Sequence, residues 1–239
     1  MEKDLNELVE RLRSAAGANL KAVVLYGSAV AGDFHPKHSN LNILCLVDGA
    51  GAPELESLNP AAVWWTRKGH PAPLVFTLDE LRRSGDVFAI ELLDIKQYHR
   101  ILYGDDFLAA LEVSMALHGL QVERELRADW IRLREAILTA PRSRSALMRL
   151  MLASVSSFVT LFRHALIVLG EQAPQGKRAI VGRIAALFGV NAAAFDRVLD
   201  VREGKQKESQ IDVVATLRGY VELVERVADA VDRKLEGAG

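Results

Sequence analysis

The sequence predicts an α/β (α+β) domain with a mixed sheet, followed by an all-α antiparallel helical bundle. Three observations predict it. Before Gly104, short β-branched or aromatic runs are separated by Gly and Pro. After Asp105, apolar residues recur at steps of three and four, the period of a helix face. The length, 239 residues, is roughly 1.6 times a typical domain of about 150, which suits two modest domains or one large one. The change of texture puts the first domain at 1–104 and the bundle at 105–239.

In chain order, Leu5 to Ala16 reads as a helix, and Ala22 to Tyr26 and Leu41 to Val47 read as strands. Val63 to Thr66, Leu74 to Thr77 and Phe88 to Ile95 complete the predicted strands, with a short helix from Glu80 to Ser84 after the Asp79 start signal. In the second half, Val122, Leu126, Trp130, Leu133 and Ile137 form one stripe. Helices then fit Ser145 to Leu169, Arg178 to Phe188 and Ala192 to Val201. A last stripe, Val214, Leu217, Val221, Val224, Ala228, Val231 and Leu235, makes a seam against other helices. The basic stretches Lys177-Arg178 and Lys205-Gln206-Lys207 read as solvated loops.

The net charge is −1, with −2 up to Gly104 and +1 after it, so neither half carries the excess that nucleic-acid binding needs. The single cysteine, Cys45, cannot form an intramolecular disulfide and reads as a small buried hydrophobe in a strand. The polar, acidic N-terminus lacks the basic and apolar regions of an export signal, which predicts a cytoplasmic protein. Leu150 to Phe162 is free of formal charge for 13 residues, short of the roughly 20 of a bilayer span, so a buried bundle helix is expected rather than a membrane segment.

One stretch carries chemistry. An apolar strand, Val23-Val24-Leu25-Tyr26, runs into Gly27-Ser28 and small residues that begin a helical turn, where backbone N–H groups and a hydroxyl can approach a triphosphate. The next strand opens Ser39-Asn40-Leu41-Asn42-Ile43, so Asn40 and Asn42 share one face and Leu41 and Ile43 the other.

This stretch resembles the nucleotidyltransferase superfamily of DNA polymerase beta, in particular its kanamycin- and lincosamide-type members with a helical C-terminal domain. Those proteins carry a strand, Gly-Ser, and about ten residues later an Asp-hydrophobic-Asp pair that opens the next strand. Gly27 and Ser28 match the first element and Ser39 the serine that precedes the pair, which implies nucleotide binding at these three residues. Asn40 and Asn42 stand in place of both aspartates. The resemblance is specific over Val23 to Val47 and architectural beyond Gly104.

In that family two Mg²⁺ ions bridge the nucleotide and the attacking hydroxyl, and hard dications take anionic oxygen ligands. A unit charge pair 4 Å apart at an effective dielectric near 20 is worth about 4 kcal/mol, and a dication doubles it. Two lost carboxylates therefore forfeit a gross sum above about 10 kcal/mol, more than one extra hydrogen bond restores. No metal cofactor is expected as the chain stands; Mg²⁺ would be, had it the motif aspartates. The resemblance also implies a third carboxylate on a later strand, for which Glu91 is the first candidate and Asp94 the second.

His35 and His38, between Gly32 and Ser39, read as solvated loop residues, and Trp64-Trp65 as strand neighbours facing opposite ways. The expected protein is a nucleotidyltransferase-fold pseudoenzyme, binding a nucleoside triphosphate or a small-molecule or protein partner. One rival is an active Mg²⁺-dependent transferase that moves a nucleotidyl group to a hydroxyl; the other is an interaction protein.

Overall fold

The structure is a computed structural model in which residues 1–32, 40–141 and 143–237 are described. The chain divides into two compact units, Met1–Met115 and Ala116–Gly239.

The first unit begins with helix α1 (Glu2–Ala16) and strands β1 (Leu20–Tyr26) and β2 (Asn42–Val47). Helix α2 (Ala52–Arg67), strand β3 (Leu74–Thr77), helices α3 (Leu78–Arg83) and α4 (Ala89–Gln97), and strand β4 (His99–Gly104) follow. The four strands form one mixed sheet in the order β3-β2-β1-β4. β1 lies antiparallel to both β2 and β4, and β2 parallel to β3.

Strand alternation sorts the central residues onto two cores. Val23, Leu25, Ile43, Cys45 and Val47 join Leu5, Leu8 and Leu12 of α1 and Leu58 and Trp65 of α2 on one face. Ala22, Val24, Leu44 and Leu46 join Leu81 of α3 and Leu92 and Ile95 of α4 on the other. A sheet covered on both faces needs strands apolar throughout, which is why β1 and β2 read as unbroken runs. Leu108 and Leu111, beyond β4, pack into the second of these cores and so belong to the first unit. Cys45 is fully buried, and burial pushes its thiol up to about 12.

Two predicted strands are helices. Val63 to Thr66 lies in α2, where Leu58, Ala61 and Trp65 are buried at helical spacing. Phe88 to Ile95 falls largely in α4, with Ala89, Leu92 and Ile95 buried at steps of three. Short apolar runs fit either period, and the buried positions on either side decide. Trp64 and Trp65 are accordingly consecutive on a helix. Trp65 is in the core, while the half-buried Trp64 carries the Arg11 guanidinium 4.6 Å and the Lys68 ammonium 4.8 Å from its ring centre. The sheet ends with β4, beyond the predicted limit at Ile95.

The second unit holds α5 (His118–Thr139), α6 (Arg144–Val168), α7 (Lys177–Phe188), α8 (Ala193–Arg202) and α9 (Val213–Glu236). α6 packs against α5, α7, α8 and α9. It is long and apolar enough, by length and composition, to cross a membrane. Its Met151, Val155, Phe158, Phe162 and Leu166 are instead buried in the bundle. Phe195 of α8 stacks on Tyr220 of α9 at 4.2 Å and lies 5.1 Å from Phe162. Arg178, expected in a solvated loop, lies in α7 and donates 2.8 Å hydrogen bonds to Asp200 and Glu203 near the end of α8.

Candidate functional site

The end of β1 sets the geometry. Tyr26 pairs with Asn42 on one side and His99 on the other, so the chain leaves the sheet between β2 and β4. Gly27 turns out of the strand at φ +81°, in the left-handed region that favours glycine. Its N–H donates to the Tyr98 carbonyl (3.0 Å), and its own carbonyl accepts from Val30 (2.9 Å) and Ala31 (3.0 Å), closing a 3₁₀ turn over Gly27–Ala29. The N–H groups of Ser28 and Ala29 stand at the start of that turn and take no part in its internal bonds.

Asn42, the first residue of β2, faces the same point. A Cβ on Gly27 would lie 3.2 Å from Asn42 Nδ2, so the absent side chain leaves the amide directly against the turn. Asn42 is half-buried and Asn40 exposed, while Leu41 between them is buried. The Leu41 N–H donates to His70 Nδ1 at 3.5 Å, and the His70 ring lies 4.3 Å from that of Trp65.

On the β4 side, His99 Nδ1 donates to the Lys96 carbonyl (2.9 Å) and Nε2 lies 3.3 Å from Asp106 Oδ2. Burial would raise the Asp106 carboxyl. Hydrogen bonds from His99 and from the backbone N–H groups of Ala109 and Leu108 outweigh it and hold the carboxyl below its ordinary value. Burial also raises the Tyr26 hydroxyl.

The structure thus brings Gly27 and Asn42 together, with Ser28 next in the turn. Ser39, His35 and His38 lie outside the described residues. Glu91, expected on a strand, is exposed on α4, and Asp94 is half-buried one turn further on. The two later strands that do exist, β3 (Leu-Val-Phe-Thr) and β4 (His-Arg-Ile-Leu-Tyr-Gly), carry no acid. The group that β2 sets against the turn is a neutral amide, that of Asn42. Among the described residues, no three His, Cys, Asp or Glu side chains come together as a metal site. Sequence reading passed over His70 and His99. Neither stands in a patterned motif: His99 comes beside the turn through the pairing of β4 with β1, and His70 reaches Leu41 from the loop ahead of β3.

No protein-family model matches the chain, and no curated protein does. Among solved structures, the chain is similar to spectinomycin adenyltransferase AAD(9) from Enterococcus faecialis, solved with ATP and spectinomycin. The TM-score is 0.55 at 15% identity over 99% of both chains. A toxin-antitoxin structure with AMP-PNP aligns at a TM-score of 0.31 and 14% identity, over 56% of this chain and 98% of that one, too slight a likeness to bear on the fold. The mixed four-stranded sheet and helical C-terminal region are those of the nucleotidyltransferase fold.

Proposed function

We propose that this chain binds a nucleoside triphosphate at the Gly27-Ser28 turn and does not transfer it. The observation that carries the reading is the Asn42 amide set against Gly27, at the sequence position that carries a motif aspartate in the family this stretch resembles. The Ser28 and Ala29 N–H groups and the Ser28 hydroxyl supply donors for phosphate oxygens, and the close approach depends on Gly27 having no side chain. Asn40 and Asn42 add neutral amide groups, each able to donate two hydrogen bonds to a phosphate. Such a site holds the anion by hydrogen bonding and does not need a dication to bridge it. What it lacks is the anionic ligand set that would place a metal on the attacking hydroxyl.

A second reading has one observation in its favour: the likeness to an adenyltransferase spans both chains almost completely. In that reading the chain moves a nucleotidyl group to a hydroxyl of a small molecule or protein.

Titration calorimetry with ATP, GTP, CTP and UTP, with and without Mg²⁺, separates the two. Binding that survives chelation of the metal is the expected result. Binding that requires Mg²⁺, with pyrophosphate released in the presence of an acceptor, overturns the proposal in favour of the transferase. No binding of any nucleotide overturns both and leaves an interaction protein.

A further inference from the structure

His70 stands outside every motif, yet it is bonded to the middle of the site. β3 begins opposite β2 at the pair Leu44–Leu74, so the backbone ladder between these strands does not reach Leu41. Leu41 is buried, and its N–H would be left without a sheet partner on that side. His70, four residues ahead of β3, supplies the acceptor through Nδ1 at 3.5 Å. Its ring is held in place by Trp65, which is fully buried.

We propose that His70 is a positioning residue for the site: its neutral ring fixes Leu41, and through it the asparagines on either side, and protonation of the ring releases them. The nucleotide half of this inference rests on the function proposed above; the bond to Leu41 does not.

The chemistry follows from the geometry. Nδ1 accepts a hydrogen bond only while it carries a lone pair. An imidazolium would point an N–H at the Leu41 N–H, so protonation must break the contact. Burial favours the neutral ring, and Asp4 opposes it, while Lys68 and the N-terminal amine favour it. Among the described residues, these are the charged groups that act on the ring. Asp4 comes from α1, with the amine just before it, and Lys68 follows α2; Asn40 to Asn42 on the β2 side are neutral. Lys68 and Asp4 pair at 2.6 Å, which offsets the pull of the carboxylate on the ring. The ring pKa lies below its ordinary value of 6.5, so release belongs to pH below that value.

Three forms of the full chain test this: wild type, His70→Asn and His70→Phe. Asn places an amide oxygen near the position of Nδ1 and does not titrate, and Phe keeps the contact with Trp65 but cannot accept. The first readout is hydrogen exchange of the Leu41 amide by NMR, corrected for the intrinsic pH dependence of exchange, at about pH 7.5 and about pH 5.5. Wild type should protect Leu41 at the higher pH and lose at least about tenfold of that protection at the lower. His70→Asn should protect it at both and His70→Phe at neither. The second readout is ATP affinity: at the higher pH, His70→Phe should bind at least about fivefold more weakly than wild type and His70→Asn within about twofold. Weakening at low pH shared by all three forms belongs to the nucleotide, and the excess in wild type over His70→Asn belongs to His70. Leu41 protection that is unchanged in His70→Phe, or that falls with pH equally in wild type and His70→Asn, overturns the inference. Should His70→Phe not fold, wild type against His70→Asn still decides it. If wild type binds no nucleotide, the proposed function fails, and the exchange pattern alone decides the role of His70.

Discussion

The two units keep their polar groups in different places. In Met1–Met115 every buried residue among those described is apolar, and the groups with chemistry to offer stand at strand ends, half-buried or exposed. In Ala116–Gly239 the bundle encloses His118, His164 and Thr216, and the Tyr220 hydroxyl bonds to Ser154 at 2.9 Å. The His118 Nε2 and His164 Nδ1 atoms lie 2.9 Å apart, joined by one hydrogen bond. In the first unit, then, the site is peripheral to what holds the fold together, and changing it should alter binding with little effect on stability. In the second unit a change of protonation is itself a change of stability.

The largest effects should come from the frameworks. Gly104 ends β4 at φ +78°, opposite Ala22, and any Cβ there would overlap the Lys21 carbonyl. Gly104→Ala must pull β4 from β1, at an expected loss above about 4 kcal/mol in urea unfolding. A loss under about 1 kcal/mol would show that this edge of the sheet contributes little to the first unit. In the bundle, Phe195→Ala removes a buried ring between Phe162 and Tyr220, and about 3 to 4 kcal/mol should be lost.

Next in size is the pH dependence of the second unit. Burial first, and then the neighbouring His164, lower His118 from 6.5 to about 4. Between those values the unfolded chain binds more protons than the folded one, so stability is full above about pH 6.5 and declines as pH falls toward 4. At about 1.36 kcal/mol per unit, the decline is about 3 kcal/mol. His118→Gln, which can still donate to His164, should flatten the curve over that window. An unchanged slope would assign the pH dependence to other groups and weaken the contrast between the units.

The same contrast governs what the sequence disclosed. The bundle helices are long enough for spacings of three and four to be unmistakable, and stripes such as Val122 to Ile137 mark them. In the first unit, β1 and β2 are legible because both of their faces are covered. Val63 to Thr66 and Phe88 to Ile95 are not, since four to eight apolar residues satisfy either period. His99 opens a strand that sequence reading left unassigned, and β4 declares itself only by pairing with β1. Gly27 and Asn42 were legible as a pair because the motif that this stretch resembles fixes their spacing. His70 was not, because the chain reaches Leu41 from another direction.

The smallest effect on stability, and the sharpest on function, is expected at the asparagines. Asn40 is exposed and Asn42 half-buried, so Asn40→Asp with Asn42→Asp should change unfolding free energy by less than about 0.5 kcal/mol. The same pair of changes supplies two anionic ligands at the turn, and triphosphate binding should become at least about tenfold stronger with Mg²⁺ than without. Either change alone should give much less, since a bridged metal pair shares its ligands and their effects do not add. Glu91→Gln in the doubly changed background then asks whether that exposed α4 acid contributes: a further loss of Mg²⁺ dependence would place it at the site, and no change would leave the two aspartates acting alone. If the double variant ignores Mg²⁺ altogether, the site differs from a working one by more than two amides. A large loss of stability instead would show that the site is part of the framework, and the contrast between the two units would fail at the point where it matters most for function.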